Sequence, residues 1–460
     1  MIKVLILSHS SELAGAERSM LDLFDYWSKK NLVKPHLIIR RPVKNLAKEL
    51  RKRGWSYTTL YYTNWSDRTP LEKRTAEAMY RDTLYNGKAI LDIEELIQKI
   101  KPDVVMTNTI VSPWAAVAAY FQKVPHIWFV REYGDIDHRH IFELGREKML
   151  EDIDTMSSLV VTNSMTLAHH IQQYMSDNKI TTLYTPFDLE LLRRKSLQKA
   201  KNPFIDQQSL KLIITGRIDP SKGQAEAAEA AGRLIQAGHD VELCVIGKPT
   251  DAEDAKSLYE IIKQYELQDR VHLVGHQSNP LAILKYADVG IMASKQEAFG
   301  RVTFEYMTIG LPVVGAASGA TPELIDDARN GYLYEPGSID SLVEKLMNYA
   351  KDRSLIKKHG QAAQAKAEKM MKGSHNADTL FDKISAIVNK KGLYYPQTLN
   401  FAHRWLEYPT IARRYIKDSG AISLKRLVYS RLRHRAKWMY LTTSRVYDFI
   451  RRGFRRSSSL

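Results

Sequence analysis

The stretch Ser294-Lys-Gln-Glu-Ala-Phe-Gly-Arg-Val-Thr-Phe-Glu-Tyr-Met-Thr-Ile-Gly-Leu-Pro312 follows the apolar run Val289-Gly-Ile-Met292 and sets two carboxylates, Glu297 and Glu305, on either side of a glycine. The run predicts a buried strand, Phe299-Gly300 a turn, and Val302 to Met307 a helix, because its apolar positions fit helical spacing. A strand, a turn and a helix start aim backbone N–H groups and a positive dipole end at an anion. Glu305 is expected about two turns into the helical region, on the same side as Glu297 if the turn folds back. Two carboxylates with a nest of amides suit a ligand that carries both hydroxyls and phosphates.

Working outward, Lys211 to Thr215, Val241 to Ile246, Val271 to Val274, Pro312 to Gly315 and Tyr332 to Tyr334 repeat the buried-strand signal, with helix-length segments between them. The N-terminal half alternates in the same way through Ile2 to Leu7, His36 to Ile39, Asp103 to Thr107, His126 to Val130 and Leu159 to Asn163. Such alternation predicts parallel sheets with helices on both faces. The expected fold is α/β, with two doubly wound, Rossmann-like domains facing across a cleft and a basic, mainly helical C-terminal tail. The expected domains are 1–190, 191–390 and a tail of 391–460. Ligands of doubly wound sheets bind at the carboxyl ends of the strands. Tyr57 to Lys88, with Trp65, Asp67, Arg68 and several tyrosines, reads as a polar insertion, either a solvated loop and helix or a loop facing an acceptor.

Several residues at predicted strand ends suit phosphates. Thr215-Gly216-Arg217-Ile-Asp-Pro-Ser-Lys222-Gly223 follows a strand and precedes an alanine-rich helix. Arg217 offers a planar fork for two phosphate oxygens and Lys222 a compact charge, a pair suited to a pyrophosphate. Ala14-Gly15-Ala16-Glu17-Arg18 follows the first strand and opens a helix expected over Ser19 to Trp27; glycine there allows a backbone to approach a ligand closely. His126, at the start of its strand, is expected to be structural, and Cys244, the only cysteine, a packed core thiol.

The spacing of Glu297 and Glu305, followed by Gly310-Leu-Pro-Val-Val314, Gly319-Ala-Thr-Pro-Glu323 and Asn330-Gly-Tyr-Leu-Tyr334, resembles the donor-site signature of retaining glycosyltransferases of family 4 (glycosyl transferases group 1), which includes sucrose synthase and bacterial mannosyltransferases and has the GT-B fold. The resemblance covers residues 1 to about 390 at the level of the fold and is specific mainly from Arg217 to Glu335. It implies that Arg217 and Lys222 hold the diphosphate of a nucleotide sugar, that Glu297 touches the transferred sugar, and that Glu305 binds the ribose hydroxyls. It further implies that Phe299, Gly300 and Arg301 present backbone groups to sugar and phosphates, that Val302 gives an amide to the phosphate, that Gly275-His276 lies by the base, and that Gly15-Ala16, expected across the cleft from Gly216-Arg217, approaches the ligand. Many members carry a histidine next to an aspartate at the end of the fourth strand. Here the strand from His126 to Val130 runs into Arg131-Glu132-Tyr133, so Arg131 and Glu132 are the candidates to bind sugar hydroxyls or activate the acceptor.

No Asp-x-Asp follows a strand and no His/Cys/Asp cluster has metal-ligand spacing, so turnover without metal or cofactor is expected, the developing charge being stabilised by Arg217, Lys222 and helix N-termini. The donor would be a UDP- or GDP-sugar. Retaining transfer in the resembling family lets the leaving phosphate take the acceptor proton.

The chain's formal charge of +16 is concentrated at one end. From Lys391 to Leu460, 16 Lys and Arg face three acidic residues, a balance of +13 that leaves +3 for the rest. In that tail Leu424, Val428, Leu432, Met439, Val446, Ile450 and Phe454 recur at intervals near three and four, an amphipathic, cationic pattern suited to an anionic membrane surface; no nucleic-acid module accompanies the charge. The apolar start, Met1 to Leu7, is short and soon meets Glu12 and Glu17, unlike a signal peptide, so a cytoplasmic chain on the inner face of the membrane is expected. The combined expectation is sugar transfer to a glycan or lipid-linked acceptor in bacterial surface polysaccharide synthesis. A sugar-nucleotide epimerase on the same fold and a non-catalytic membrane-tethered scaffold are the alternatives.

Overall fold

The computed structural model describes residues 1–70, 73–249, 251–373 and 375–390; the basic tail 391–460, and the membrane contact expected of it, lie outside the described residues. The described chain divides into two compact units: Met1–Thr162 with Ile171–Thr181 and residues 381–390, and Asn163–His170 with Thr182–Leu380.

The first unit is built on a seven-stranded sheet in the spatial order Ser56–Leu60, Val33–Arg40, Ile2–Ser8, Val104–Asn108, His126–Val130, Leu159–Thr162, Ile180–Thr182. Its ladders are parallel, with Val4 opposite both Pro35 and Val104. Strands of such a sheet are covered on both faces and read as continuous apolar runs; Val4 to Leu7, Val104 to Met106 and Ile127 to Val130 are all buried. Trp27, Trp114 and Trp128 are the largest fully buried side chains of this unit.

The polar segment from Tyr57 is a loop and helix only partly in solvent: Tyr61, Arg68 and Thr69 are exposed, while other residues fasten it to the sheet. Its start is the edge strand, paired His36 to Ser56. Tyr62 is buried and donates its hydroxyl to the carbonyl of Ser8. The Trp65 indole donates to the Ile110 carbonyl at 2.7 Å and stacks on Trp128 with centroids 5.7 Å apart. Two aromatic side chains with polar handles thus fasten the segment before helix Ala76–Ile100 begins.

The second unit has a six-stranded sheet in the order Val271–Gly275, Val241–Ile246, Leu210–Thr215, Val289–Met292, Val313–Ala316, Gly331–Tyr334, all parallel. Side chains alternate between its faces with the period of two that a strand imposes. Leu210, Leu212 and Ile214 pack with the alanines of helix Gln224–Gln236 and with Leu342, Leu346 and Tyr349. Ile213, Cys244 and Ile246 pack on the other face with Phe187, Phe304 and Met307. Cys244 is buried in that apolar layer, and burial pushes its thiol up to about 12, where it is inert at neutral pH.

Among the described residues no helix is long and apolar enough to cross a membrane.

Candidate functional site

Both sheets reverse their winding at one place, and that switch point opens a crevice beyond the carboxyl ends of the two strands beside it. In the second unit the two strands are Leu210–Thr215 and Val289–Met292. The loops that leave them carry Arg217 and Lys222 on one side and Glu297, Phe299 and Gly300 on the other.

The first loop is rigid by construction. Asp219 accepts from the Ser221 amide at 2.9 Å and the Ser221 hydroxyl at 2.6 Å. Buried Gln224 donates to the Arg217 carbonyl at 2.9 Å, and the Lys295 amide reaches the Ser221 carbonyl at 3.0 Å. Gly223 caps the following helix with φ +72°, and a Cβ there would lie 2.5 Å from the Ala293 carbonyl oxygen, so the two loops touch backbone to backbone.

The structure brings Lys222 and Glu297 together, their charged atoms 2.5 Å apart and both partly exposed. Glu297 is held through its main chain as well. Its carbonyl accepts the Ala320 amide at 2.8 Å, and a Cβ on Gly319 would sit 2.3 Å from that oxygen. The conformation of Glu297 therefore depends on Gly319-Ala320 as much as on its own loop. Arg217 turns to Asp219 at 3.1 Å and is 44% exposed, open to a ligand.

Gly300, at φ +86°, caps helix Arg301–Thr308. The helix starts at Arg301, so Glu305 stands just over one turn in, not two, and reaches back to Arg301 at 3.2 Å. The Arg301 guanidinium lies over the Phe187 ring at 4.5 Å, and Phe299 packs buried against Phe187 and Tyr184. Val302 lies in the first turn of this helix, where amides point out of the helix start toward the usual position of an anion. Gly275, at φ +69°, and exposed His276 end the edge strand, with Val241–Ile246 between them and the Arg217 strand. Glu323 is engaged within its own unit, where it accepts from the Thr166 amide and hydroxyl, both at 2.6 Å, and from the Tyr184 hydroxyl at 2.9 Å.

In the first unit the switch point lies between Ile2–Ser8 and Val104–Asn108. Helix Gly15–Lys29 begins at Gly15 itself, four residues before the start read from the sequence, which sets Gly15 and Ala16 in its first turn. Arg131 and Glu132 leave the neighbouring strand His126–Val130. Arg131 donates to Asn108 at 2.6 Å, and Asn108 donates to the Ala16 carbonyl at 3.3 Å. Glu132 is buried and accepts the Ile110 amide at 2.7 Å; burial pushes its carboxyl up to about 7. Between Asn108 and Ile110, Thr109 takes φ +118°, a strained value for a β-branched residue and of the kind that collects at functional sites. His126 is buried at the far end of its strand between Thr107 at 2.9 Å and Ser157 at 3.4 Å, and burial holds its imidazole down at about 3, so it is neutral and structural.

Sequence reasoning passed over His9 and Glu17. The available signal was position: His9 follows the first strand at its carboxyl end, and Glu17 adjoins Gly15-Ala16 in the first turn of the next helix. Among the described residues no group of three or more His, Cys, Asp or Glu side chains is arranged to hold a metal ion.

Residues 196–367 match the family model described as "Glycosyl transferases group 1", and residues 39–191 match "Glycosyltransferase Family 4". The chain is 25% identical over 209 residues, 45% of its length and 54% of the relative's, to N-acetyl-alpha-D-glucosaminyl L-malate synthase of Bacillus anthracis. It is 28% identical over 218 residues, 46% of its length and 56% of the relative's, to a Campylobacter jejuni diphospho-undecaprenol 4-alpha-N-acetylgalactosaminyltransferase. The chain thus spans about half the length of these curated relatives. In fold it is similar to the Anabaena protein HepE, solved with UDP and glucose, at a TM-score of 0.64 and 19% identity over 84% of this chain and 99% of that one. With both halves matched and two Rossmann-like units in place, the chain belongs to the group 1 glycosyltransferases of the GT-B fold.

Proposed function

We propose that this protein transfers a sugar, with retention and without a metal, from a UDP- or GDP-sugar to a glycan or lipid-linked acceptor in bacterial surface polysaccharide synthesis. The observation that carries the proposal is the switch point of the second unit, where Arg217, Lys222, Glu297 and the helix capped by Gly300 gather at the ends of two adjacent strands. Arg217 and Lys222 supply the charge that a leaving diphosphate needs, and the positive end of the helix that starts at Arg301 adds partial positive charge that requires no reorganisation. Glu297 accepts from hydroxyls of the transferred sugar. Glu305, a turn further along, accepts from the ribose, and Gly275-His276 lies beside the base. In the first unit, Gly15-Ala16, Arg131 and Glu132 serve the acceptor side. The curated relatives named for glycosyl transfer support this reading.

A calorimetric screen of UDP, GDP and their common sugars in metal-free buffer tests it. One nucleotide is expected to bind, and Arg217→Ala and Glu305→Ala each to weaken it at least tenfold, since a lost charge-assisted hydrogen bond costs about 1.5–3 kcal/mol. Absence of binding by every nucleotide would overturn the donor site.

The proposal also includes docking on the cytoplasmic face of an anionic membrane through residues 391–460, whose support is the cationic, amphipathic sequence pattern alone. Deleting 391–460 is expected to abolish sedimentation with phosphatidylglycerol vesicles and to leave nucleotide binding unchanged. Sedimentation that survives the deletion would assign the membrane contact elsewhere.

A further inference from the structure

We infer that the Arg301 side chain, docked on the Phe187 ring, is a positioning residue that aims the Glu305 carboxylate at the ribose hydroxyls of the donor. This rests on the donor site proposed above and adds to it a side chain from which the resemblance implies only backbone contacts.

Helix energetics set Arg301 apart. It opens helix Arg301–Thr308, whose first turn holds no acidic residue, and a cation there stands against the positive end of the helix dipole. Its partner four residues on is Glu305, and a cation placed N-terminal to its acid is the weaker of the two orders along a helix. An arginine selected for helix stability would not stand here. Such a local conflict, in the turn that follows Glu297, is the mark that a functional site leaves in a sequence.

Packing fixes what the helix does not favour. The guanidinium lies 4.5 Å from the centroid of the Phe187 ring. Phe187 is buried, stacked on Phe304 with centroids 4.5 Å apart and planes 14° from parallel, and its amide turns back to the Thr185 carbonyl at 2.9 Å. Phe304 belongs to the same helix as Arg301, so ring, guanidinium and helix form one packed group within the second unit. Nε of Arg301 donates to Oε1 of Glu305 at 3.2 Å, and the two side chains are 21% and 13% exposed. A planar guanidinium can lie on a ring and donate from its edge at once, which an ammonium cannot. The arginine thus has a fixed place, and the carboxylate is turned toward it.

The consequence for the ligand is preorganisation. A glutamate has three side-chain torsions to lose when it takes up a ribose, and engaging Oε1 settles them before the donor arrives. Oε2 is then the oxygen that accepts from the ribose O–H groups. Two other ion pairs stand in the same site, Lys222 with Glu297 and Arg217 with Asp219, but theirs are the cations proposed to turn to the phosphates. Arg301 lies on Phe187, which keeps it with Glu305 in the free protein and in the complex alike.

Calorimetry on the full chain with UDP, GDP and their 2′,3′-dideoxy counterparts decides the matter. The readout is the ratio of ribo to dideoxy affinity, in which any effect common to both ligands, such as a lost charge near the phosphates, cancels. Wild type is expected to favour the ribonucleotide by about tenfold or more. Arg301→Leu should shrink that ratio about fivefold, and should change it no further once Glu305 is already alanine. Phe187→Leu, which keeps the charge and most of the apolar volume but removes the ring, should shrink it about threefold. A ratio that survives both substitutions overturns the inference and leaves the donor site standing, even where melting temperatures fall or both affinities drop together. Should Arg301→Leu fail to fold, Arg301→Lys, which keeps the charge and loses the planar fork, is expected to shrink the ratio about threefold and decides in its place. A wild type that binds neither nucleotide removes the donor site and this inference with it. A wild type that binds UDP and its dideoxy form equally keeps nucleotide binding but takes Glu305, and with it Arg301, away from the ribose.

Discussion

Glu297→Gln is expected to lower sugar transfer by a factor on the order of a hundred to a thousand, with nucleotide binding within about threefold of wild type and an unchanged melting temperature. The backbone at Glu297 is clamped independently of its side chain, by the Ala320 amide at 2.8 Å and by the close approach of Gly319. An amide of nearly the same shape therefore leaves the loop in place. What it removes is the negative charge that faces Lys222 at 2.5 Å. In the free protein that pair is partly exposed, so it contributes little to stability. On the proposed function its two members divide in the complex: Lys222 goes to the diphosphate and Glu297 to sugar hydroxyls, both charges serving a transition state in which the sugar turns positive and the phosphate negative. Losing the carboxylate thus acts on kcat, whereas Lys222→Ala should raise KM as well, because the diphosphate is already charged in the bound donor. Initial rates over a range of donor concentration separate the two. A Glu297→Gln enzyme within tenfold of wild-type kcat would reduce Glu297 to a resting partner of Lys222.

The architecture was legible because strands buried on both faces announce themselves as apolar runs. His126 to Val130, Val241 to Ile246 and Val289 to Met292 were bounded to the residue. Two edge strands of the first sheet escaped notice. Ser56–Leu60 contributes Tyr57, Thr58 and Thr59, and Ile180–Thr182 is three residues long with only part-buried side chains. At a sheet edge the backbone ladder supplies the order and hydropathy carries no trace of it. The donor loops were legible for a different reason. Gly300 and Gly223 mark positive φ, and the polar residues beside them stand at strand ends, so their place could be inferred from turn chemistry. Pairings across the fold were not. Nothing in Trp65 says that it stacks on Trp128, and nothing in Glu17, by sequence only a charge near the chain's start, says that it is wholly buried beside His9. Such facts depend on register and on which strand lies next to which, and they arise only once the sheet order is known.

Gly319→Ala is the backbone counterpart of the Glu297 experiment, and its effect should be larger on stability than any single change in the donor-site side chains. Gly319 sits at φ +52°, a conformation that costs an ordinary residue about 1–2 kcal/mol. A methyl there would lie 2.3 Å from the Glu297 carbonyl oxygen and 2.7 Å from its nitrogen. Those are backbone atoms, so no side chain can swing aside; the loop must move, at a further cost of about 1–3 kcal/mol. The comparison is Gly337→Ala, at φ +78°, where an added Cβ meets nothing within 4 Å. That variant carries the dihedral cost alone. Thermal melts should therefore place Gly319→Ala below Gly337→Ala, with a loss of about 3 kcal/mol against about 1. Transfer should fail in Gly319→Ala at temperatures where it is still folded, because the movement that relieves the clash displaces Glu297 itself, and a shift of about 1 Å can cost a hundredfold in rate. Equal melting of the two variants would mean that the loop yields freely, and the tight contact of Gly319 with Glu297 would then have no part in holding the carboxylate.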